Sequence, residues 1–380
     1  MSDRLTRVLM LCSGVGRENR GIETFFADAF EGLKDAPGLD LRLGIGAGVA
    51  GASQERIASL SRLHPLAKSL GGVIGRDGYT IEQVSSIPSV LAKIRRLEPH
   101  VVFTSEANLA MRLKSLRSFG GVPYRLMYSN GAPMRGPFPW ADAVHQVTPT
   151  YRDIAIEDGD DPERHILVPY GFTVPDVPPD RSIARRQQAR RNLGLPEDRP
   201  IVLSVGWIAR RHKRMDYVVD EIAHLPAPRP LLAMIGAMDQ TSGEVVTEAR
   251  SKLGAEGLVA RSVPPSEVPT WYAAADVFVL GSLAEGFGRV YIEALSQGVP
   301  VFCHDYPVGR FVNGPEAAYG DFSKAGTLTG LIAKRQDLFA EDPFGDRRRW
   351  NYARDNFSWQ ALAPRYEDMF RNAANGPRRA

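Results

Sequence analysis

Two glutamates, Glu285 and Glu293, stand eight residues apart in the stretch VFVLGSLAEGFGRVYIEALSQGVPVFCHD, from Val277 to Asp305. A glycine loop, Gly286-Phe287-Gly288, follows the first of them. The apolar run Ala275 to Leu280 reads as a strand, and the segment from about Arg289 to Gln297 reads as a helix stopped by Gly298 and Pro300. A helix start behind glycines presents backbone N–H groups to phosphate oxygens. Carboxylates make poor phosphate ligands, but each can accept hydrogen bonds from two vicinal hydroxyls, as acidic residues do with ribose in dinucleotide folds. One glutamate ahead of the anion site and one inside the helix bracket a diphosphate with a sugar at each end. That is the shape of a nucleotide sugar. Two glutamates at this spacing are common by chance, so the weight rests on the whole combination of strand, glycine loop and SQGVPV.

A second candidate is GWIARRHKRMD, Gly206 to Asp216, where Arg210, Arg211, Lys213, Arg214 and His212 directly follow a strand end. A cation there stabilises the charge that develops on a diphosphate leaving group; a solvated basic turn is the plainer alternative. The loop GVGRENRG after the first strand has Gly14 and Gly16 but no third glycine at the required spacing, which disfavours an NAD enzyme. The Asp158-Gly-Asp160 triplet lies in the polar run EDGDDPERH and reads as a solvated loop, so no metal site is expected. ARRQQARR has no interleaved aromatic platform, which argues against RNA and for an exposed linker helix. His100, His145 and His165 sit at strand starts or in loops and read as structural.

Positioning such groups takes a scaffold, and the chain repeats one pattern. Short aliphatic runs (Arg7–Ser13, Asp40–Gly46, His100–Ser105, Tyr124–Gly131, His165–Phe172) alternate with helix-period segments. After the proline-rich TVPDVPPDRS the series restarts at Pro200–Trp207 and Pro230–Gly236. This alternation implies α/β architecture with parallel sheets, and ligands in such sheets bind outside the carboxyl ends of the strands. The expected division is a first Rossmann-like domain over 1–175, a linker and basic helix over 176–198, a second Rossmann-like domain over 199–346 and a helical segment over 347–380.

At 380 residues the chain has room for two domains, and 24% charged with 43% hydrophobic residues describes an ordinary globular protein. A net charge of +3 gives no reason to expect nucleic acid as a partner. Cys12 and Cys303, the only two cysteines, lie in or beside apolar runs and read as buried thiols in a reducing compartment. The run VLMLC is too short for a signal sequence, and no run approaches a membrane span, so the expected location is the cytoplasm. RIASLSRLHPLAKSL, Arg56 to Leu70, places Ile57, Leu60, Leu63 and Leu70 among basic residues. Such a helix either packs on its own domain or lies on an anionic membrane, which keeps peripheral contact with the inner membrane surface open.

The sequence resembles the retaining glycosyltransferases of family 4, which have the GT-B fold. RGIETFF (Arg20 to Phe26) resembles that family's Gly-Gly-x-Glu segment, and LVPYGF (Leu167 to Phe172) its Pro-Asn-Gly-Val stretch with Tyr170 replacing Asn. RRNLGLP and LSVGW are similar to its approach to the second domain, and FSW (Phe357 to Trp359) recurs in its C-terminal helix. YAAADVFVLGSLAEGFGRVYIEALSQGVPV, Tyr272 to Val301, is the most specific part. The likeness covers nearly the whole chain, thinly in the first domain.

The resemblance implies two Rossmann-like domains whose parallel sheets face a central cleft, with the C-terminal helix returning to the first domain. It implies that Glu285 lies near the donor sugar and phosphates, that Glu293 binds the ribose, and that Gly286, Phe287 and Gly288 line the diphosphate. Lys213 fits the family lysine, whereas Trp207 occupies the usual arginine position, so Arg210 or Arg211 would substitute. Gly206 and Gly236 join the donor set. Arg289 departs from the usual aliphatic residue and is either a phosphate contact or a surface arginine. Gly16, Arg20 and Gly21 would line the cleft near acceptor and donor phosphates, and Asn130 stands where the family often has a histidine. The implied reaction is metal- and cofactor-independent transfer of a sugar from a nucleotide-diphosphate donor to a hydroxyl of a glycan, lipid-linked sugar or small molecule. A GT-B relative such as a nucleotide-sugar epimerase, or a non-catalytic nucleotide-sugar-binding protein, stands as the alternative.

Overall fold

The computed structural model describes residues 5–18, 21–73, 75–131, 134–334 and 341–376, without the side chains of 118–120. The chain divides into two compact units, Met1–Thr173 with Trp359–Ala380, and Val174–Ser358.

The first unit carries a seven-stranded sheet built from β1 (Thr6–Leu11), β2 (Leu39–Ile45), β3 (Gln54–Arg56), β4 (Val101–Thr104), β5 (Arg125–Asn130), β6 (Ala143–Gln146) and β7 (His165–Leu167). Its strand order is β3-β2-β1-β4-β5-β6-β7, and every pairing is parallel. Central β1 is buried almost throughout, as a strand covered on both faces must be. Its Val8 lies between Leu41 of β2 and Val101 of β4. The helices are α1 (Gly21–Leu33), α2 (Pro65–Val73), α3 (Gly78–Ser85), α4 (Ile87–Leu97), α5 (Ala107–Gly120) and α6 (Pro149–Glu157). In α1, Phe25, Phe26, Ala29, Phe30 and Leu33 recur at helical spacing and are all buried, the stripe a sheet-covering helix needs.

The second unit has a six-stranded sheet of order β10-β9-β8-β11-β12-β13, again all parallel. Its strands are β8 (Ile201–Val205), β9 (Leu231–Ile235), β10 (Leu258–Arg261), β11 (Val277–Leu280), β12 (Val301–His304) and β13 (Ala317–Gly320). Helices α7 (Ile183–Leu193), α8 (Met215–Ala223), α9 (Ser242–Leu253), α10 (Val268–Ala274), α11 (Arg289–Ser296), α12 (Pro307–Asn313), α13 (Thr327–Ala333) and α14 (Pro343–Phe357) surround it. The final helix, α15 (Trp359–Asn375), returns to the first unit as expected: Tyr366 donates to the Pro169 carbonyl at 2.9 Å, and the Phe370 ring meets Phe103 edge-on.

Two expectations are corrected. The basic segment ARRQQARR is not an exposed linker. It forms α7 of the second unit, and Arg186 and Arg190 are buried against Asp276, which also accepts from the Ile201 amide at 2.7 Å. Burial of these cations is tolerable because a buried carboxylate and backbone carbonyls satisfy them. Nor is Arg56–Leu70 one amphipathic helix. Arg56 ends β3, Ile57 is buried, the chain then runs irregularly, and α2 begins only at Pro65. Proline is favoured at a first helical turn, which explains that start.

Candidate functional site

In the second unit, β8 and β11 are sheet neighbours, so the loops leaving their carboxyl ends lie side by side. Gly206 directly follows β8 with φ +148°, and Gly236 follows β9 with the same value. A Cβ on Gly236 would overlap the Gly206 carbonyl oxygen, while one on Gly206 would stand 3.3 Å from Cε of Lys213. Two glycines here let β8, β9 and the Lys213 stem approach one another closely. His212 (φ +61°) and Arg214 (φ +47°) both hold left-handed backbone, and Lys213 N–H donates to the Arg211 carbonyl at 2.7 Å. Each such non-glycine residue costs about 1–2 kcal/mol, so the turn persists only because its surroundings fix it. Arg214 supplies part of that support, donating to the Phe322 carbonyl at 2.7 Å with its guanidinium over the Tyr217 ring.

The result is an ion pair. Lys213 Nζ lies 2.6 Å from Glu285 Oε1, with side-chain exposures of 18% and 7%. His212 Nδ1 approaches the same oxygen at 3.9 Å. At an effective dielectric of roughly 20 the gross attraction is about 6 kcal/mol, most of it offset by desolvation. Chemically, the pairing keeps Glu285 from acting as an isolated base. An ammonium carries three donors, and Glu285 uses one, so Lys213 retains capacity for a phosphate oxygen.

Beyond Glu285, Gly288 precedes α11 with φ +83°, and a Cβ there would stand 2.6 Å from the Tyr291 ring. The Tyr291 amide donates back to the Gly288 carbonyl at 2.9 Å and closes the first turn of α11. Gly286 and Arg289 are half-buried at this start. The Phe287 ring is buried and packs edge-on against Phe357, so its side chain belongs to the packing of this unit. Glu293 is half-buried one turn into α11 and accepts from Tyr272 Oη at 3.2 Å. Burial, then the Glu293 charge, holds the Tyr272 hydroxyl protonated. Of the other basic residues, Arg210 pairs with Glu248 of α9 and Arg211 is exposed; Trp207, at the usual arginine position, is 52% exposed.

The first unit places Gly16 in left-handed backbone (φ +79°), where a Cβ would overlap the Ala47 carbonyl, and Gly21 exposed at the first position of α1. Arg20 lies outside the described residues. Asn130 is corrected: it is fully buried at the end of β5, donating to Met134 O and Gln146 Oε1 and accepting from the Met134 amide. Every polar atom of its side chain is used internally. His145 is also fully buried, between Ser129 and the Val168 carbonyl, and burial pushes its pKa down to about 4.

Sequence reasoning missed a cluster at the end of β1. Ser13 Oγ lies 2.5 Å from Glu106 Oε1 and 2.8 Å from Glu82 Oε1, all three residues being buried. Arg62 pairs with Glu82 at 2.8 Å and Glu23 at 3.3 Å, and Arg17 reaches Glu82 at 3.4 Å. One hydroxyl hydrogen cannot serve two carboxylates. Burial pushes the Glu106 pKa up to about 7, so below that pH Glu106 carries a proton and can donate to Ser13 while Ser13 donates to Glu82. Glu82, which burial alone would push up, is held below the usual carboxylate range by Arg62.

Residues 185–353 match the family described as Glycosyl transferases group 1. The chain is similar to mannosylfructose-phosphate synthase of Agrobacterium fabrum, 34% identical over 170 residues that cover 42% of this chain and 37% of that protein. It is also similar to the GDP-mannose-dependent alpha-(1-6)-phosphatidylinositol monomannoside mannosyltransferase of Mycolicibacterium smegmatis, 29% identical over 222 residues covering 53% and 55%. The chain thus spans about half or less of the curated relatives it matches. Among solved structures, Anabaena HepE in complex with UDP-glucose has a TM-score of 0.73 at 15% identity, covering 97% of this chain and 100% of that one. At that identity the likeness is one of fold, the two-unit α/β architecture of GT-B.

The group 1 segment contains β8, β11 and α11, and so Lys213, Glu285 and Glu293. Tyr272, the aromatic that orients Glu293, gave no sign in the sequence beyond its place in YAAADV. A hollow of about 790 Å³ in this segment opens at the amino ends of β8, β9 and β10, lined by Pro200, Leu231 and Leu258, away from the strand ends that hold the ion pair. Among the described residues, no group of three or more His, Cys, Asp or Glu is placed to hold a metal ion. Asp158 and Asp160 instead bind Arg135 and Arg164. No described helix is long and apolar enough to cross a membrane.

Proposed function

We propose that this chain transfers a sugar from a nucleotide-diphosphate sugar to an acceptor hydroxyl with retention of anomeric configuration. The observation that carries the reading is the Lys213–Glu285 pair at the carboxyl ends of adjacent parallel strands, beside the start of α11. In this reading Lys213 and the α11 amides hold the diphosphate and stabilise the charge that grows on it as the glycosidic bond breaks. Glu285 positions Lys213 and accepts from sugar hydroxyls, and Glu293, oriented by Tyr272, takes the ribose hydroxyls. No side chain is assigned as covalent nucleophile. The departing phosphate deprotonates the acceptor on the same face, which gives retention. The first unit binds the acceptor, with Gly16 and Gly21 in its loop.

The names of similar proteins support a nucleoside-diphosphate donor but differ on its identity. HepE is described with UDP-glucose, whereas the Mycolicibacterium smegmatis enzyme is named as GDP-mannose-dependent. A second reading, a non-catalytic nucleotide-sugar-binding protein, is favoured by the burial of Asn130 and by Trp207 in place of a phosphate-binding arginine.

The test is nucleotide release from UDP-glucose, GDP-mannose and ADP-glucose, with and without sugar, sugar-phosphate and lipid-linked acceptors, followed by NMR of the product's anomeric proton. Acceptor-dependent release with the donor's configuration supports the proposal. An inverted product refutes retention, release without acceptor points to other chemistry, and binding without release favours the second reading.

A further inference from the structure

Among the described residues of the second unit, six large apolar side chains are exposed, and three of them stand just after strands: Trp207 (52%) after β8, Met238 (41%) after β9 and Leu283 (37%) after β11. These strands are neighbours in the order β9-β8-β11, so the three come from adjoining loops at one edge of the sheet, the edge that carries Lys213 and Glu285. Apolar residues scattered singly over a surface need no account, but three gathered beside an ion pair do. Trp207 is the largest of them and is firmly held. The Gly206 amide donates to the Ile235 carbonyl and the Ile208 amide to the Ala237 carbonyl, both at 2.9 Å, so the backbone on each side of Trp207 is tied to β9 and its exit. Ile208 is fully buried, whereas the indole between these anchors stands in solvent.

The loop of Trp207 adjoins the proposed diphosphate contact. A Cβ on Gly206, the residue before it, would stand 3.3 Å from Cε of Lys213, and one on Gly281 would stand 2.6 Å from the Arg214 carbonyl oxygen, which sets the β11 exit against the same turn. An indole carries no charge and a single N–H donor, so Trp207 cannot do for a diphosphate what an arginine would. What it offers is a flat apolar face. A pyranose suits that face, since its hydroxyls lie round its edge and its C–H groups on its two sides. Glu285, 2.6 Å from Lys213, is an acceptor for the edge hydroxyls. A cation, a carboxylate and an aromatic face from adjoining loops are the few polar groups and apolar wall that a small-ligand site combines. We propose that Trp207 is a specificity-determining residue, a platform against which the ring of an uncharged transferred pyranose stacks. The proposal rests on the donor reading above and adds to it the side chain that separates a nucleotide sugar from the bare nucleotide.

Of the five tryptophans, Trp207 is the exposed one; Trp271, Trp350 and Trp359 are buried and Trp140 is half-buried. Acrylamide quenching of wild type, with the emission of Trp207→Phe subtracted, therefore isolates the indole at 207. UDP-glucose or GDP-mannose is expected to shield it, and UDP or GDP alone to leave it open. In calorimetric titration, Trp207→Ala should lower affinity for the nucleotide sugar about three- to tenfold while affinity for the bare nucleotide holds, and Trp207→Phe should keep most of the wild-type affinity. Both variants should melt with wild type, as expected of an exposed position. If wild type binds neither nucleotide sugar nor nucleotide, the donor reading itself fails and takes this proposal with it. If wild type binds donor but Trp207→Ala keeps the same ratio of nucleotide-sugar to nucleotide affinity, the donor reading stands and the platform is overturned. Shielding by UDP or GDP alone overturns it too, since the indole then meets the nucleotide, and so does a Trp207→Phe variant as weak as Trp207→Ala.

Discussion

Replacing Asp276 with alanine removes the one carboxylate that Arg186 and Arg190 of α7 share. Asp276 is 3% exposed, accepts from Arg190 at 2.6 Å and from the Ile201 amide at 2.7 Å, and also binds Arg186. Arg181, buried nearby, donates to the Ala275 carbonyl at 2.6 Å, and burial lowers its pKa to about 10. Without Asp276 the buried cations lose their shared counter-charge, and breaking a buried pair from one side costs about 3–5 kcal/mol. That is a large part of a total stability of about 5–15 kcal/mol. For a unit of this size, roughly 2–4 °C per kcal/mol converts the loss into a drop of about 6–20 °C in melting temperature. Asp276→Asn, which keeps an acceptor but not the charge, should fall between. Urea unfolding followed by the fluorescence of Trp271, buried on the adjoining α10, reads the loss directly. Glu197→Ala is the control: its pair with Arg191 is more than 40% exposed on both sides and should contribute under about 1 kcal/mol. If Asp276→Ala costs no more than that control, α7 is a solvated linker and the reasoning fails.

Two further outcomes follow from the same structure. Glu106 has its folded pKa raised from 4.5 to about 7, so its contribution to stability is full below 4.5 and is lost as pH rises through 7, about 3 kcal/mol in all. Glu106→Gln keeps a donor for Ser13, and the stability difference between wild type and this variant should change across that window; a difference flat with pH removes the proton from Glu106. Gly236→Ala should push the Gly206 carbonyl away and displace the Lys213 stem, lowering donor binding about tenfold or more with little change in far-ultraviolet circular dichroism. Unchanged binding would show that the glycine pair does not set the position of Lys213.

Most strands were legible because they are short aliphatic runs ended by glycine or a polar loop, whereas β3 (Gln-Glu-Arg), β6 and β13 are short and partly polar and escaped; the α11 segment was legible because strand, glycine loop and helix are contiguous in sequence. What escaped the sequence was pairing across distance. Lys213 and Glu285 were separate candidates, since nothing local places a residue after β8 beside one after β11 until strand order is known. The arginines of α7 looked solvated because charge runs usually are, and only the placement of Asp276 shows why they are buried. In and before α2 the apolar spacing was visible, but Ile57, ahead of the helix, proved to be core, and Leu66 and Val73 within it proved to be surface. Asn130 stood at a strand end where a site residue was sought, and its burial, which spacing does not reveal, takes it out of reach.

The most direct test of the central claim is calorimetric titration of UDP-glucose and GDP-mannose into wild type, Lys213→Ala and Glu285→Ala. Binding of at least one donor by wild type, weakened about tenfold or more in both variants, is predicted, since each change removes one side of the pair at the proposed diphosphate site. Donor binding that is absent from wild type, or equal in all three proteins, contradicts the account.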